Sequence, residues 1–166
     1  MNHHELLKTA LASVDYEPYQ NDPWVLETTQ RMAASIRDPK RTKATIYENC
    51  HSGSMLEYAV FIALRTAGFD VKQSDDKTYD ILLRHNGKFV MLDVKGLFTS
   101  TKYVNQTEWE LVNAEPETVY VAFDCTGADM IGRYLGWCTG FDMIPSNWRG
   151  GYAKVSDIEK RKTFLP

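Results

Sequence analysis

The dipeptide Asn86-Gly87 constrains this chain more than any other two residues. It separates two largely apolar runs, Tyr79 to His85 and Lys88 to Lys95. A two-residue loop between such runs predicts a type I′ hairpin turn, because both central residues need positive φ and Asn and Gly tolerate it. A loop of that length also sets the register. His85 faces Lys88, Leu83 faces Val90, Ile81 faces Leu92, and Asp80 faces Asp93. The last pair puts two carboxylates on one face with Cβ atoms roughly 4.5–5.5 Å apart. Among Ile81, Leu82, Leu83, Val90, Met91 and Leu92, such like charges repel unless a divalent cation or a shared proton compensates. Lys95 follows Asp93 by two residues and so shares its face. The plainer alternative makes both acids solvated strand ends that Lys95 neutralises.

The stretch before the hairpin adds a third acid. Ser54-Met55-Leu56-Glu57 reads as a capping box that opens a helix at Ser54. Met55, Leu56, Ala59, Val60, Phe61, Ile62, Ala63, Leu64 and Ala67 make that helix apolar almost all round, so it should be buried. Gly68 is its expected stop. Glu57 and Arg65 are its only charges. Glu57 is then a capping carboxylate, a third acid beside the pair, or both.

This order of residues resembles the PD-(D/E)XK nuclease superfamily: Glu57 on a helix, Asp80 on a strand, and Asp93-Val94-Lys95 on the strand paired with it. The resemblance covers Gly53 to about Asp124. It implies a restriction-endonuclease-like α-β-β-β-α-β core, with a mixed central sheet flanked by helices and, here, two further helices at the N-terminus. The family's proline before the first strand acid is Tyr79 in this chain. By resemblance, Glu57, Asp80 and Asp93 hold Mg²⁺, with the Val94 carbonyl as a further ligand. Mn²⁺ is expected to substitute. Lys95 contacts the attacking water or the scissile phosphate. Gln106 is the candidate for a glutamine or lysine that many members carry near the crossover helix. The implied activity is hydrolysis of DNA phosphodiester bonds by an endonuclease, with exonuclease action and RNA left open. The alternative is a catalytically inactive nucleic-acid-binding or protein-interaction module on the same fold.

The remaining chain reads as one domain: a helical extension over 1–50, the core over 53–124, and a last strand with a basic tail over 125–166. A first helix is predicted from Asn2 or His3 to Val14, with Leu6, Leu7, Ala10, Leu11 and Val14 as its stripe. Asp22 caps a second helix that has Pro23 at its first position, with Val25, Thr29, Met32, Ala33 and Ile36 facing inward. Arg37, Lys40, Arg41 and Lys43 then concentrate positive charge. They form a phosphate-contacting patch or a solvated loop, and His51 follows near the expected site as a surface residue or a substrate-phosphate contact. Strands are predicted over Phe69–Gln73, Val119–Phe123 and Ile131–Cys138. A polar loop over Gly96–Gln106, carrying Lys102, leaves the lysine strand where a substrate backbone could meet it. Thr107-Glu108-Trp109-Glu110 is a second capping box, and the helix it opens must end before Pro116. Tail residues Trp148, Arg149, Lys154, Lys160, Arg161 and Lys162 either touch nucleic acid or form an ordinary basic terminus.

A net charge of −3 argues against a protein that coats nucleic acid through many phosphate contacts, but not against a nuclease whose acids gather a metal. No apolar run reaches membrane-span length and no leader pattern opens the chain. Cys50, Cys125 and Cys138 lack metal-ligand spacing and read as reduced thiols, which places the protein in the cytoplasm. The first two helices offer a surface for a homodimer.

Overall fold

In the computed structural model, which describes residues 1–147 and 149–166, the hairpin is the centre of a six-stranded sheet. Strands β3 (Ile81–His85) and β4 (Lys88–Leu97) pair antiparallel, with Ile81 opposite Leu92, Leu83 opposite Val90 and His85 opposite Lys88. Asn86 and Gly87 take φ of 51° and 76°, as the type I′ turn requires. Strand β2 (Val71–Gln73) adds antiparallel to β3. On the other side β6 (Val119–Asp124) lies parallel to β4, followed by β7 (Ile131–Thr139) and β1 (Ser13–Asp15) at the far edge. The sheet order is β1-β7-β6-β4-β3-β2.

Alternation along β4 sends its side chains to two cores. Leu92 joins Ile81, Leu83, Val119, Val121 and Phe123 beneath the long helix α3 (Lys43–Thr66). Leu97, Tyr120 and Ala122 face the opposite way. A small sheet of β5 (Tyr103–Gln106), β8 (Ile144–Pro145) and β9 (Gly151–Lys154), with the short helix α5 (Val155–Ile158), covers them through Val104, Met143, Ala153 and Ile158. Helices α1 (His3–Leu11) and α2 (Pro23–Ser35) pack on α3, and α4 (Glu108–Asn113) lies in the crossover from β4 to β6. Asp22 caps α2 and Thr107 caps α4, as their sequences predict.

Three expectations are corrected. The helix carrying Glu57 is not capped at Ser54; it begins twelve positions earlier, with Thr42 as its N-cap. Ser54 is buried mid-helix, with its hydroxyl 3.8 Å from the Met32 sulfur of α2. Ile46, Cys50 and Ser54 form a buried stripe at intervals of four, so packing against the rest of the fold carries the helix through a local start signal. Gly53 sits in open space and does not break the helix. The first helix, in contrast, stops at Leu11, because Val14 is taken up by the edge strand β1, opposite Gly132. The polar loop after β4 is shorter than expected, since Tyr103–Gln106 pairs with β9. Trp148 lies outside the described residues.

Candidate active site

The site forms where β3 ends. The ladder closes at Ile81 opposite Leu92, and the Asp80 N–H still reaches the Leu92 carbonyl at 2.8 Å. Asp80 therefore stands just outside the strand rather than in regular pairing with Asp93, which corrects the register at that one residue. Its carboxylate takes the next ladder position instead: Asp80 Oδ2 accepts from the Val94 N–H at 2.7 Å. Val94 thus serves Asp80 through its amide.

Asp93 is 5% exposed and Lys95 lies two residues on, with its Nζ 3.1 Å from Asp93 Oδ1. The other side of the ammonium is held by Glu110 of α4, whose Oε1 and Oε2 lie at 3.1 and 3.3 Å. The Tyr120 ring centroid is 5.5 Å from the same Nζ. Glu57 approaches from α3. Its neighbour Leu56 fills the gap above two glycines: a Cβ at Gly96 of β4 or at Gly132 of β7 would come within 2.8 Å of a Leu56 methyl. Those two glycines let α3 settle close to the sheet, and the close approach brings Glu57 into electrostatic contact with Asp93 and Asp80. Being mid-helix, Glu57 caps nothing; the capping half of its expected role is removed.

The electrostatics follow from burial. Glu57 is pushed up to about 8 by burial and by Asp93, against a small opposing pull from Arg31. Burial, then Asp93 and Glu57, raise Asp80 well above the carboxylate range, although the Val94 N–H and Lys95 favour its charged form. Asp93 rises to about 6 through burial, with Lys95 holding it back. Burial works against the Lys95 ammonium, but Asp93, Glu110 and Asp80 outweigh it and keep the lysine charged. Three acids raised by burial lie together, and Asp93 with Glu110 holds the lysine beside them.

A helix, three strands, a crossover helix and a strand parallel to the third, with acids and a lysine where the second and third strands part, define the architecture. The fold is restriction-endonuclease-like. Among solved structures, the chain is similar in part to the Holliday junction resolvase Hjc of Archaeoglobus fulgidus, at a TM-score of 0.46 and 13% identity, covering 64% of this chain and 86% of that one. No family model and no curated protein matches the sequence.

Among the described residues, no three His, Cys, Asp or Glu side chains stand close enough together to hold a metal ion as they are placed. Asp93 Oδ1 is occupied by the Lys95 ammonium. In kind, the donors fit a hard divalent cation: all are carboxylate oxygens, and the burial and like-charge repulsion that disfavour their charged forms are what a cation relieves.

Of the residues expected to contact nucleic acid, Lys40, Arg41, Lys43 and Lys102 are exposed, and Arg41 is paired with Asp38 at 2.7 Å. Gln106 is 3% exposed and lies out of a substrate's direct reach. Its Nε2 donates to the Tyr120 hydroxyl at 2.7 Å, and its Oε1 has no partner among the described residues. His51 bonds the Gln20 carbonyl at 2.8 Å through Nε2, which is a structural contact. Sequence reading missed Glu110 at the site because its capping role is genuine: Oε2 accepts from the Thr107 N–H at 3.1 Å. Only the tertiary fold shows that the same carboxylate also reaches Lys95. No helix among the described residues is long and apolar enough to cross a membrane.

Proposed function

We propose that the chain is a Mg²⁺-dependent endonuclease that hydrolyses DNA phosphodiester bonds, with Mn²⁺ able to replace Mg²⁺. One observation carries this reading: Asp80 just before β3, Asp93 within β4 and Glu57 on α3 are gathered in one buried place, where burial raises all three and Asp93 raises the other two, beside a single charged lysine. A fold serves its own stability poorly by keeping such a set, since buried like charges cost free energy unless a ligand compensates them.

Asp80 and Asp93 would hold the cation, with Glu57 and the Val94 carbonyl beside them. A divalent ion there supplies Lewis acidity to a phosphodiester and makes water a better nucleophile at neutral pH. The chain's own residues do the rest. Asp80, fixed through Oδ2 by the Val94 N–H, would bind through its other carboxylate oxygen. Lys95 stays protonated and offers hydrogens to a phosphate oxygen or to the attacking water, where developing negative charge strengthens the contact. Exposed Lys40, Lys43 and Lys102 supply phosphate contacts away from the reacting bond.

The inactive-module alternative draws on the Lys95 ion pairs, which leave the acids partly neutralised without a metal. Nicking of supercoiled plasmid with Mg²⁺, Mn²⁺ or EDTA decides between the two. Metal-dependent nicking is expected in the wild type, and Lys95→Ala should lower its rate by roughly 10²–10³, the size of losing one transition-state stabiliser. DNA binding without nicking under any metal favours the module. Full activity in Lys95→Ala removes the lysine from the mechanism.

A further inference from the structure

Helix α4 is turned the wrong way round for a surface helix. Trp109, Leu111 and Val112 are exposed, and Glu110 is the one residue of Glu108–Asn113 that is not. An ordinary surface helix buries its apolar residues and leaves its charges in water. Here a carboxylate with its side chain 15% exposed points inward. Burying a charge is costly unless it is paired, and the partner is Lys95, gripped by both Glu110 oxygens at 3.1 and 3.3 Å. Glu110 is itself held: Oε2 accepts from the Thr107 N–H at 3.1 Å, and the Glu110 N–H donates to Thr107 Oγ1 at 3.1 Å. The ammonium thus sits between a strand carboxylate and a helix carboxylate whose own direction a capping box fixes.

We infer that Glu110 is the positioning residue for Lys95, an inference that rests on the nuclease reading for its catalytic consequence. Asp93 alone leaves a four-carbon side chain free to swing about one contact. The second anchor narrows Lys95 to one place, beside Asp93 and over the Tyr120 ring, before substrate arrives. Pre-setting the ammonium raises turnover without adding a substrate contact, so its loss should appear in kcat and leave KM alone.

Glu110→Gln tests this with little effect on the helix, because glutamine also completes a capping box. In plasmid nicking, kcat should fall about 10–100-fold with KM for DNA unchanged. Thr107→Ala, which disrupts the box but keeps the ion pair, should retain kcat. In a Lys95→Ala background, Glu110→Gln should cost almost nothing more, since the group it positions is gone. Wild-type kcat in Glu110→Gln, or the same loss in both backgrounds, overturns the inference. A readout independent of activity separates it from the nuclease reading: acetylation of lysines by an N-hydroxysuccinimide ester, followed by mass spectrometry. Lys95 should be among the slowest lysines in the wild type and in Thr107→Ala, and clearly faster in Glu110→Gln. Faster labelling in a protein whose wild type nicks nothing keeps the anchor and overturns the nuclease reading. Labelling that does not change overturns the anchor whatever the activity.

Discussion

Glu57→Gln in metal-free buffer measures how much strain the acids store. In the folded protein Glu57 rises from its ordinary 4.5 to about 8, through burial and the neighbouring Asp93. Between those two pH values the folded state holds a proton that the unfolded chain has released. Stability therefore falls as pH rises across the window, and is flat with respect to this group below and above it. The rise corresponds to roughly 5 kcal/mol if the side chain stays where it is. Rotation toward solvent takes part of this back, so about 2–3 kcal/mol is expected between pH 5 and pH 8.5. Glutamine mimics the protonated acid and has nothing to titrate. Urea denaturation in EDTA should show the mutant matching the wild type at pH 5 and exceeding it by that amount at pH 8.5. Asp80 and Asp93 are raised too, so a smaller slope in the same direction should persist in the mutant. A mutant less stable than wild type at pH 8.5, or a wild type whose stability is flat across the window, would refute the buried-acid argument.

Asp80→Asn keeps an oxygen for the Val94 N–H and removes a charge that burial and two acids oppose. In EDTA near neutral pH it should be at least as stable as wild type, by up to ~1 kcal/mol. It should also lose most of the stabilisation that rising Mg²⁺ or Mn²⁺ gives the wild type by mass action, followed by thermal melts. The corrected helix start is checked by a pair of substitutions. Thr42→Ala should cost about 1 kcal/mol as loss of a genuine N-cap. Ser54→Ala, inside the helix, should change stability by less than about 0.5 kcal/mol, and equal losses in denaturant titrations would restore the start at Ser54.

Much of this protein was legible in short stretches of sequence. Asn86-Gly87 determined a turn whose geometry only a few residues can adopt, and the turn alone set the ladder from Ile81–Leu92 to His85–Lys88. Asp22-Pro23 and Thr107 with Glu110 announced their helices for the same reason: a cap is satisfied within four residues. The order of Glu57, Asp80, Asp93 and Lys95 was likewise open to reading. Tertiary structure decided what local rules leave undetermined. Ser54 with Glu57 is as good a capping box on paper as Thr107 with Glu110, yet only the second is one, because burial of Ile46, Cys50 and Ser54 favours continuing α3 over starting it anew. Asp80 leaves regular pairing because its carboxylate, rather than its strand, meets the Val94 N–H. Glu110 reaches Lys95 only because β5 and α4 fold back across β4. Turns and caps are settled by bonds between near neighbours. The reach of a helix and the partner of a buried charge are settled by which distant surfaces must exclude water together.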